Sequence, residues 1–220
     1  MKRLSRIFAL LALIAPPFLA SGAEAKIVDE RVFLIGAGNV DKPVLERLKE
    51  SLPGSLPMSA RVDIGRPLRI PAAAYDPARQ QYNAQAIVDD AAGKFRLALT
   101  NERALVVVDV DLYMPGLNFV FGLADAKKGV GVISLARLRN EFYGLKPDNR
   151  LLFARALKEA VRELGHSWGL SHCPNKPCVM YSSNTLRETD GKRDTFCYNC
   201  RILLDKRGGE TLSDIVKKKR

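Results

Sequence analysis

The sequence predicts a mixed α/β fold of the α+β kind, in which helices pack on one twisted sheet. Strand-like and helix-like segments alternate along its first half, and a long amphipathic helix follows several strands. The segment 104–110 is a valine-rich run broken only by Asp109, which is typical of a central strand covered on both faces. Since no Ser/Gly-rich linker follows residue 25, we expect residues 26–220 to form one domain.

The first residues have the pattern of a signal peptide. Basic residues within 2–6 precede an apolar run at 7–15, and the alanines within 23–25 offer small residues two apart. A membrane anchor would need about 20 apolar residues, and two prolines interrupt this run after residue 15. We therefore predict a signal peptide at 1–25, export to the periplasm or the medium, and no stable membrane anchor.

Four patterns predict the elements before the central strand. Residues 32–35 form a short apolar strand, 41–52 have helical spacing with Asp41 as a plausible N-cap, and 61–70 have an extended pattern. A second helix is predicted over 76–95. The side chains predicted to face inward from the two helices are Val44, Leu45, Leu48, Leu52, Ala84, Ile87 and Val88.

The elements after the central strand are two further strands and a helix. Residues 118–123 and 129–135 are apolar and separated by a short turn, which predicts a hairpin or a close pair. The spacing of apolar residues over 148–168 predicts a long helix that ends before Gly169, because glycine accepts the left-handed conformation of a C-terminal cap. We expect 190–194 to be an exposed loop.

The end of this helix carries a motif for zinc chemistry. The metzincin pattern is HExxHxxGxxH. Glu163, His166, Gly169 and His172 match it, whereas Arg162 stands where the pattern has its first histidine. The chain contains only two histidines, and both fall at motif positions, so ordinary packing or helix capping is the weaker explanation.

The spacing of the motif has a physical reason. Positions 162 and 166 lie on one face of a helix, and Gly169 lets the chain turn back so that His172 approaches the same point. Three imidazoles, together with an open fourth position on the metal, make a catalytic zinc site. The metal would activate a water molecule, and Glu163 would take its proton as general base and pass it to the leaving amine of a peptide bond.

Arg162 puts the catalytic zinc in question, because a guanidinium has no lone pair to offer a metal and adds a positive charge. Three outcomes follow from the sequence. The chain could keep a weak site and a reduced peptidase activity, or be an inactive protein that binds peptides or polymers and retains only a structural zinc. As a third alternative, Arg162 could bind a carboxylate or phosphate of a substrate.

A second constellation follows the motif and points to a structural metal. Cys173 and Cys178 form one close pair, and Cys197 and Cys200 form a C-x-x-C pair. Two close pairs separated by such a loop are typical of a zinc site with four cysteine ligands, while the predicted export leaves disulfides as the alternative. Met180 follows Cys178 by two residues, where a methionine turn beneath a catalytic metal is the functional interpretation and core packing the ordinary one.

In combination, these motifs resemble those of the archaemetzincins over residues 165–200. The segments 117–122, 131–138 and 142–145 are similar to that family as well. The resemblance implies a zincin fold, peptide or protein substrates and a zinc-dependent metallopeptidase activity. It also implies the following roles by position: Glu163 as general base, His166 and His172 on the catalytic zinc, Met180 in the methionine turn, and Cys173, Cys178, Cys197 and Cys200 on a structural zinc.

The chain is basic, with a formal net charge of +11. A basic surface favours nucleic acid, anionic lipid or anionic polymers when the charge is concentrated. Here the charges are scattered, and the one block, 217–220, lies at a terminus. We therefore interpret the charge as solubilising and expect no nucleic-acid partner.

Overall fold

A five-stranded sheet forms the centre of the structure, a computed structural model that describes residues 30–98 and 101–206. The predicted signal peptide lies outside these residues. In chain order the elements are β1 (Glu30–Ala37), α1 (Lys42–Ser55), β2 (Ala60–Ile64), β3 (Tyr75–Asp76), β4 (Gln81–Asn83), α2 (Ala84–Lys94), β5 (Glu102–Val108), β6 (Leu112–Tyr113), β7 (Gly122–Asp125), β8 (Val130–Ser134), α3 (Asn149–Ser167), α4 (Leu186–Gly191) and α5 (Tyr198–Asp205). Short 3-10 turns occupy Ala72–Ala74, Ala136–Leu138 and Asn140–Tyr143.

The order of strands in the main sheet is β2-β1-β5-β8-β7. The first four strands are parallel, and β7 is antiparallel to β8, to which a tight turn joins it. A second, three-stranded sheet has the order β3-β4-β6. The predicted mixed sheet is therefore confirmed, and β7 forms one of its edges.

Helices cover both faces of the main sheet. On β5, Leu105 and Val107 pack with α1 and α3 in one core, while Val106 and Val108 pack with α2 in the other. All four side chains are fully buried, as predicted for a central strand. Each such aliphatic side chain contributes roughly 1.5–3 kcal/mol of hydrophobic stabilisation, so β5 anchors both cores.

The prediction of one helix over 76–95 is wrong in its first half. Asp76 accepts hydrogen bonds from the backbone N–H groups of Ala78 and Arg79, which makes a turn between β3 and β4. Such a side-chain turn competes with helix formation. The helix α2 begins only at Ala84, where the side chain of Asn83 accepts a hydrogen bond from Ala86 N–H and caps it. The predicted inward residues Ala84, Ile87 and Val88 are buried.

Other predicted boundaries also move. The helix predicted over 41–52 continues to Ser55, and the extended segment 61–70 forms a strand only to Ile64. The strand predicted over 118–123 is β7, which begins at Gly122; before it, Val120 makes an isolated bridge to Leu112 in the smaller sheet.

Among residues 30–98 and 101–206, no helix has the length and apolar character needed to cross a bilayer.

Candidate active and metal sites

The C-terminal end of α3 reverses the chain as the motif predicts. Gly169 has a φ of +79°, and its N–H donates to the carbonyl of His166 at 2.6 Å. Leu170 N–H donates to the carbonyl of Gly165 at 2.9 Å, which completes a Schellman cap. This reversal brings His172 beside His166, with ring centroids 5.0 Å apart.

The two imidazoles are suited to bind a cation. His166 Nδ1 donates a hydrogen bond to the Leu170 carbonyl at 2.8 Å. In the neutral ring this leaves Nε2, with its lone pair, as the atom that can bind a metal. Burial, followed by the charge of Arg162, lowers the pKa of His166 to about 4. The same two causes, in the same order, lower the pKa of His172. Both rings are therefore neutral at pH 7.

Met180 lies beneath this end of the helix. It is fully buried, and its carbonyl accepts a hydrogen bond from Cys173 N–H at 2.9 Å. A Cβ added to Gly165 would lie 2.5 Å from Met180 Sδ and 2.9 Å from a ring carbon of Phe196. Position 165 must therefore be glycine for the methionine to pack here, while the functional role of Met180 stays a prediction.

Glu163 is buried between α3 and the β7–β8 hairpin, with 1% of its surface exposed. A Cβ on Gly122 of β7 would lie 2.8 Å from both Cγ and Oε1 of Glu163, and 2.7 Å from the carbonyl of Val132. Burial raises the pKa of Glu163 to about 7, against the attraction of Arg162. The proposed general base thus lies directly beneath the edge strand.

Arg162 turns inward and pairs with two acidic side chains of its own helix. Its Nε donates to Glu159 Oε2 at 2.7 Å. Its Nη2 lies 2.7 Å from Glu163 Oε1, an ion pair by distance that lacks the angles of a hydrogen bond. The residue is 8% exposed. Although burial opposes the charge, Glu159 and then Glu163 raise the pKa of Arg162, so the guanidinium stays ionised.

Glu159 and Lys192 complete a buried cluster of four charges with Arg162 and Glu163. Lys192 Nζ lies 3.1 Å from Glu159 Oε1, and both side chains have no exposed surface. Burial raises the pKa of Glu159, but Arg162 and Lys192 together hold it below its usual range. When Glu163 is ionised, two carboxylates balance two cations, which is how charges are tolerated away from water.

Neither Glu159 nor Lys192 is among the site residues predicted from the sequence. The expectation that 190–194 is an exposed loop is wrong at Lys192, because this segment is tied to α3. Arg155 donates from Nε and Nη2 to the carboxylate of Asp190 at 2.7 and 2.8 Å, and Lys158 Nζ donates to the Asp190 carbonyl. The spacing of Glu159 and Arg162, three residues apart on a helix, was the one available signal. Nothing local in the sequence marks Lys192.

These contacts decide how well the residues fit a catalytic zinc. Two neutral imidazoles and a carboxylate are present, but the remaining position of the motif holds a cation that has no lone pair. The side chains present do not fit a centre of three imidazoles. The motif region thus contains two imidazoles and a carboxylate, and the ion-paired guanidinium of Arg162 stands at the position of the third imidazole.

The four cysteines, in contrast, fit a zinc ion. Their Sγ atoms all lie within 4.8 Å of one another, with Cys173 and Cys197 at 3.7 Å and Cys178 and Cys200 at 3.8 Å. A tetrahedron with Zn–S bonds of about 2.3 Å has edges of roughly 3.8 Å, whereas a disulfide bond measures about 2.05 Å. All four are free thiols in the structure, so the arrangement favours the zinc interpretation over disulfides.

One thiol of this set is readily ionised. Burial raises the pKa of Cys197, but the hydrogen bond with the backbone of Cys200 and those with the neighbouring thiols lower it to about 7. Its own backbone N–H donates to Cys178 Sγ at 3.3 Å. Since the thiolate is the form that binds metal, the site presents a ligand at neutral pH.

Comparisons with known proteins agree with this geometry. The profile described as peptidase family M54 matches residues 52–206. The archaemetzincin of Pyrococcus furiosus is 40% identical over 193 residues, which cover 82% of this chain and 95% of that protein. The crystal structure of a zinc-dependent peptidase from Methanocorpusculum labreanum superposes with a TM-score of 0.71 at 34% identity, covering 79% of this chain and 99% of the other. That of an archaemetzincin from Methanopyrus kandleri also gives 0.71 at 34% identity, with 83% and 97% covered.

Proposed function

We propose that this chain, which belongs to peptidase family M54, the archaemetzincins, is a zinc metallopeptidase whose activity on peptide bonds is reduced by Arg162. The observation that carries this proposal is the approach of the two motif histidines. The Schellman cap at the end of α3 brings His172 beside His166, and Glu163 of the same helix lies beneath β7. A solved relative at 34% identity is described as a zinc-dependent peptidase, which supports the same class of reaction.

The edge strand β7 offers a place for a substrate. Within the described residues, β7 pairs on one side with β8 and with no strand on the other. An exposed strand edge presents free N–H and C=O groups, and an extended peptide can add to it as a further strand. A peptide bound along β7 would pass close to Gly122 and therefore to Glu163. We propose that unfolded or extended peptides are the substrates.

Glu163 is the residue that we assign to proton transfer. A carboxylate with a pKa of about 7 can accept a proton from water near neutral pH and return it to a leaving amine. The ion pair with Arg162 stabilises the ionised carboxylate and so makes it a weaker base. Because the side chains do not fit a centre of three imidazoles, we expect slow turnover.

The four cysteines have a structural role in this proposal. A zinc ion bound by Cys173, Cys178, Cys197 and Cys200 would tie the loop after α3 to the first turn of α5. Met180 and Phe196 lie between these ligands in the chain and both pack against Gly165. The Cys site therefore supports the end of α3 that carries His166.

A second candidate function is that of an inactive member of the family that binds peptides and retains only the structural zinc. The observation that favours it is the Arg162–Glu163 ion pair, which engages the proposed base at 2.7 Å. Under this alternative, β7 still binds an extended chain, and no peptide bond is broken.

A peptidase assay with three proteins separates the two candidates. An unfolded, fluorogenically labelled peptide is incubated with wild type, Glu163→Gln and Arg162→His, with and without a chelator, and its binding is measured in parallel. Turnover by wild type that is lost in Glu163→Gln and raised in Arg162→His supports the peptidase. Peptide binding without turnover in wild type supports the second candidate. Absence of binding and turnover in all three proteins, Arg162→His included, would overturn both.

We propose export after removal of 1–25 as a separate point. The basic start, the apolar run at 7–15 and the small residues at 23–25 support it. N-terminal sequencing of the protein recovered outside the cytoplasm tests it, with Lys26 as the expected first residue. Recovery of the intact chain from the cytoplasm alone would contradict it.

A further inference from the structure

We infer that the Arg162 guanidinium and a zinc ion exclude each other at the motif site, so that Arg162 is a built-in competitor for the metal and more than a missing ligand. This inference rests on the proposed function, because it concerns the same site. It adds a regulatory property, because the guanidinium of Arg162 blocks the motif site unless zinc displaces it.

The position of Arg162 is the first step of the argument. Positions 162 and 166 are four residues apart and share one face of α3. His172 lies beside His166, with ring centroids 5.0 Å apart. Arg162 therefore lies one helical turn from the pair of imidazoles, the only two in the chain, where a second zinc ion would have to bind.

The second step is that the guanidinium is held there. If Arg162 swung into solvent, Glu163 would stay buried without a cation, and Glu159 would keep only Lys192. Removing one partner from a buried ion pair is strongly destabilising, because it leaves an uncompensated charge. The inward orientation of Arg162 is thus favoured by two carboxylates at once.

The third step is electrostatic repulsion. A divalent cation next to a fixed monovalent cation is disfavoured, and more so where the site is shielded from water. Glu163 would offset part of this repulsion if it were free, but it is already paired with Arg162. Zinc must therefore displace the guanidinium from Glu163 or bind against its charge.

A zinc titration distinguishes competition from a missing ligand. Each protein is first loaded with one equivalent of zinc to fill the Cys site, and a second equivalent is titrated by calorimetry. Arg162→Leu removes the cation and adds no ligand, whereas Arg162→Lys keeps a cation as a matched control. We expect Arg162→Leu to bind the second zinc at least about tenfold more tightly than wild type, and Arg162→Lys to bind as weakly as wild type.

The outcomes are separable from those of the peptidase assay. Equal affinities of wild type and Arg162→Leu, with tighter binding only in Arg162→His, would overturn the competition and leave the proposed function intact. No second zinc in any variant, Arg162→His included, would overturn both. If Arg162→Leu does not fold, the double variant Glu159→Gln, Arg162→Leu keeps the cluster neutral and is titrated instead, with the same expected gain over wild type.

Discussion

Arg162 Nη2 lies 2.7 Å from Glu163 Oε1, so the residue at the position of the motif's first histidine is ion-paired with the residue proposed as general base. Both belong to α3, and both are buried. A second contact of 2.7 Å, to Glu159, fixes the guanidinium from its other side. Arg162 is thus held by neighbouring charges, while Gly169 ends the helix and His172 lies beside His166, as the spacing of the motif predicts.

Lys192 should be essential for stability because its side chain is fully buried against Glu159. We expect Lys192→Met to lower the free energy of unfolding by roughly 3–5 kcal/mol, since it leaves Glu159 with Arg162 as its remaining cation. Urea denaturation measures the change. The control, Lys176→Met, removes a lysine from the exposed surface and should change stability by less than about 0.5 kcal/mol. Equal effects of the two variants would contradict the buried cluster.

The Cys site should hold zinc and stabilise the fold. We expect Cys197→Ser to lose the bound zinc and to unfold at a lower temperature, because the binding energy of a structural zinc is folding energy. Elemental analysis and a thermal melt measure the two effects. Tyr198→Phe changes the neighbouring residue, whose side chain is highly exposed, and should leave both quantities unchanged. Zinc content that stays the same in Cys197→Ser would favour disulfides.

Gly122 should tolerate no side chain, because an added Cβ would meet Val132 O at 2.7 Å and Glu163 at 2.8 Å. We expect Gly122→Ala to destabilise the protein by roughly 1–3 kcal/mol, as overpacking does. Gly93→Ala is the matched control: nothing lies within 4 Å of its added Cβ in α2, so it should stabilise by about 0.5–1 kcal/mol. Denaturation of both variants gives the signs, and a neutral Gly122→Ala would argue against the contact between β7 and Glu163.

The parts of the fold that sequence could predict are those with strong local patterns. The apolar run at 104–110 is typical of a covered strand, which the structure has as β5 from Glu102 to Val108. The helix α3 has both a capping Asp148 and a glycine that stops it. The motif glutamate and histidines could be placed because their spacing on a helix and around Gly169 is determined by local geometry. The proximity of His166 and His172 follows from that geometry as well.

The parts that could not be predicted depend on contacts distant in sequence. Residues 76–83 belong to the predicted helix over 76–95, yet β4 pairs with β6, 30 residues later in the chain, and this pairing overrides the local prediction. Lys192 follows α4, which contacts α3 through the ion pair between Arg155 and Asp190. No local pattern predicts this docking, which is accompanied by the burial of Lys192 against Glu159.

The zinc content of the wild-type chain, purified without added metal and desalted, tests most directly whether Arg162 keeps zinc from the motif site. With the Cys site filled and the motif site closed by the guanidinium, we predict one zinc per chain, rising to two in Arg162→His. Two tightly held zinc ions per chain with Arg162 in place would contradict the account.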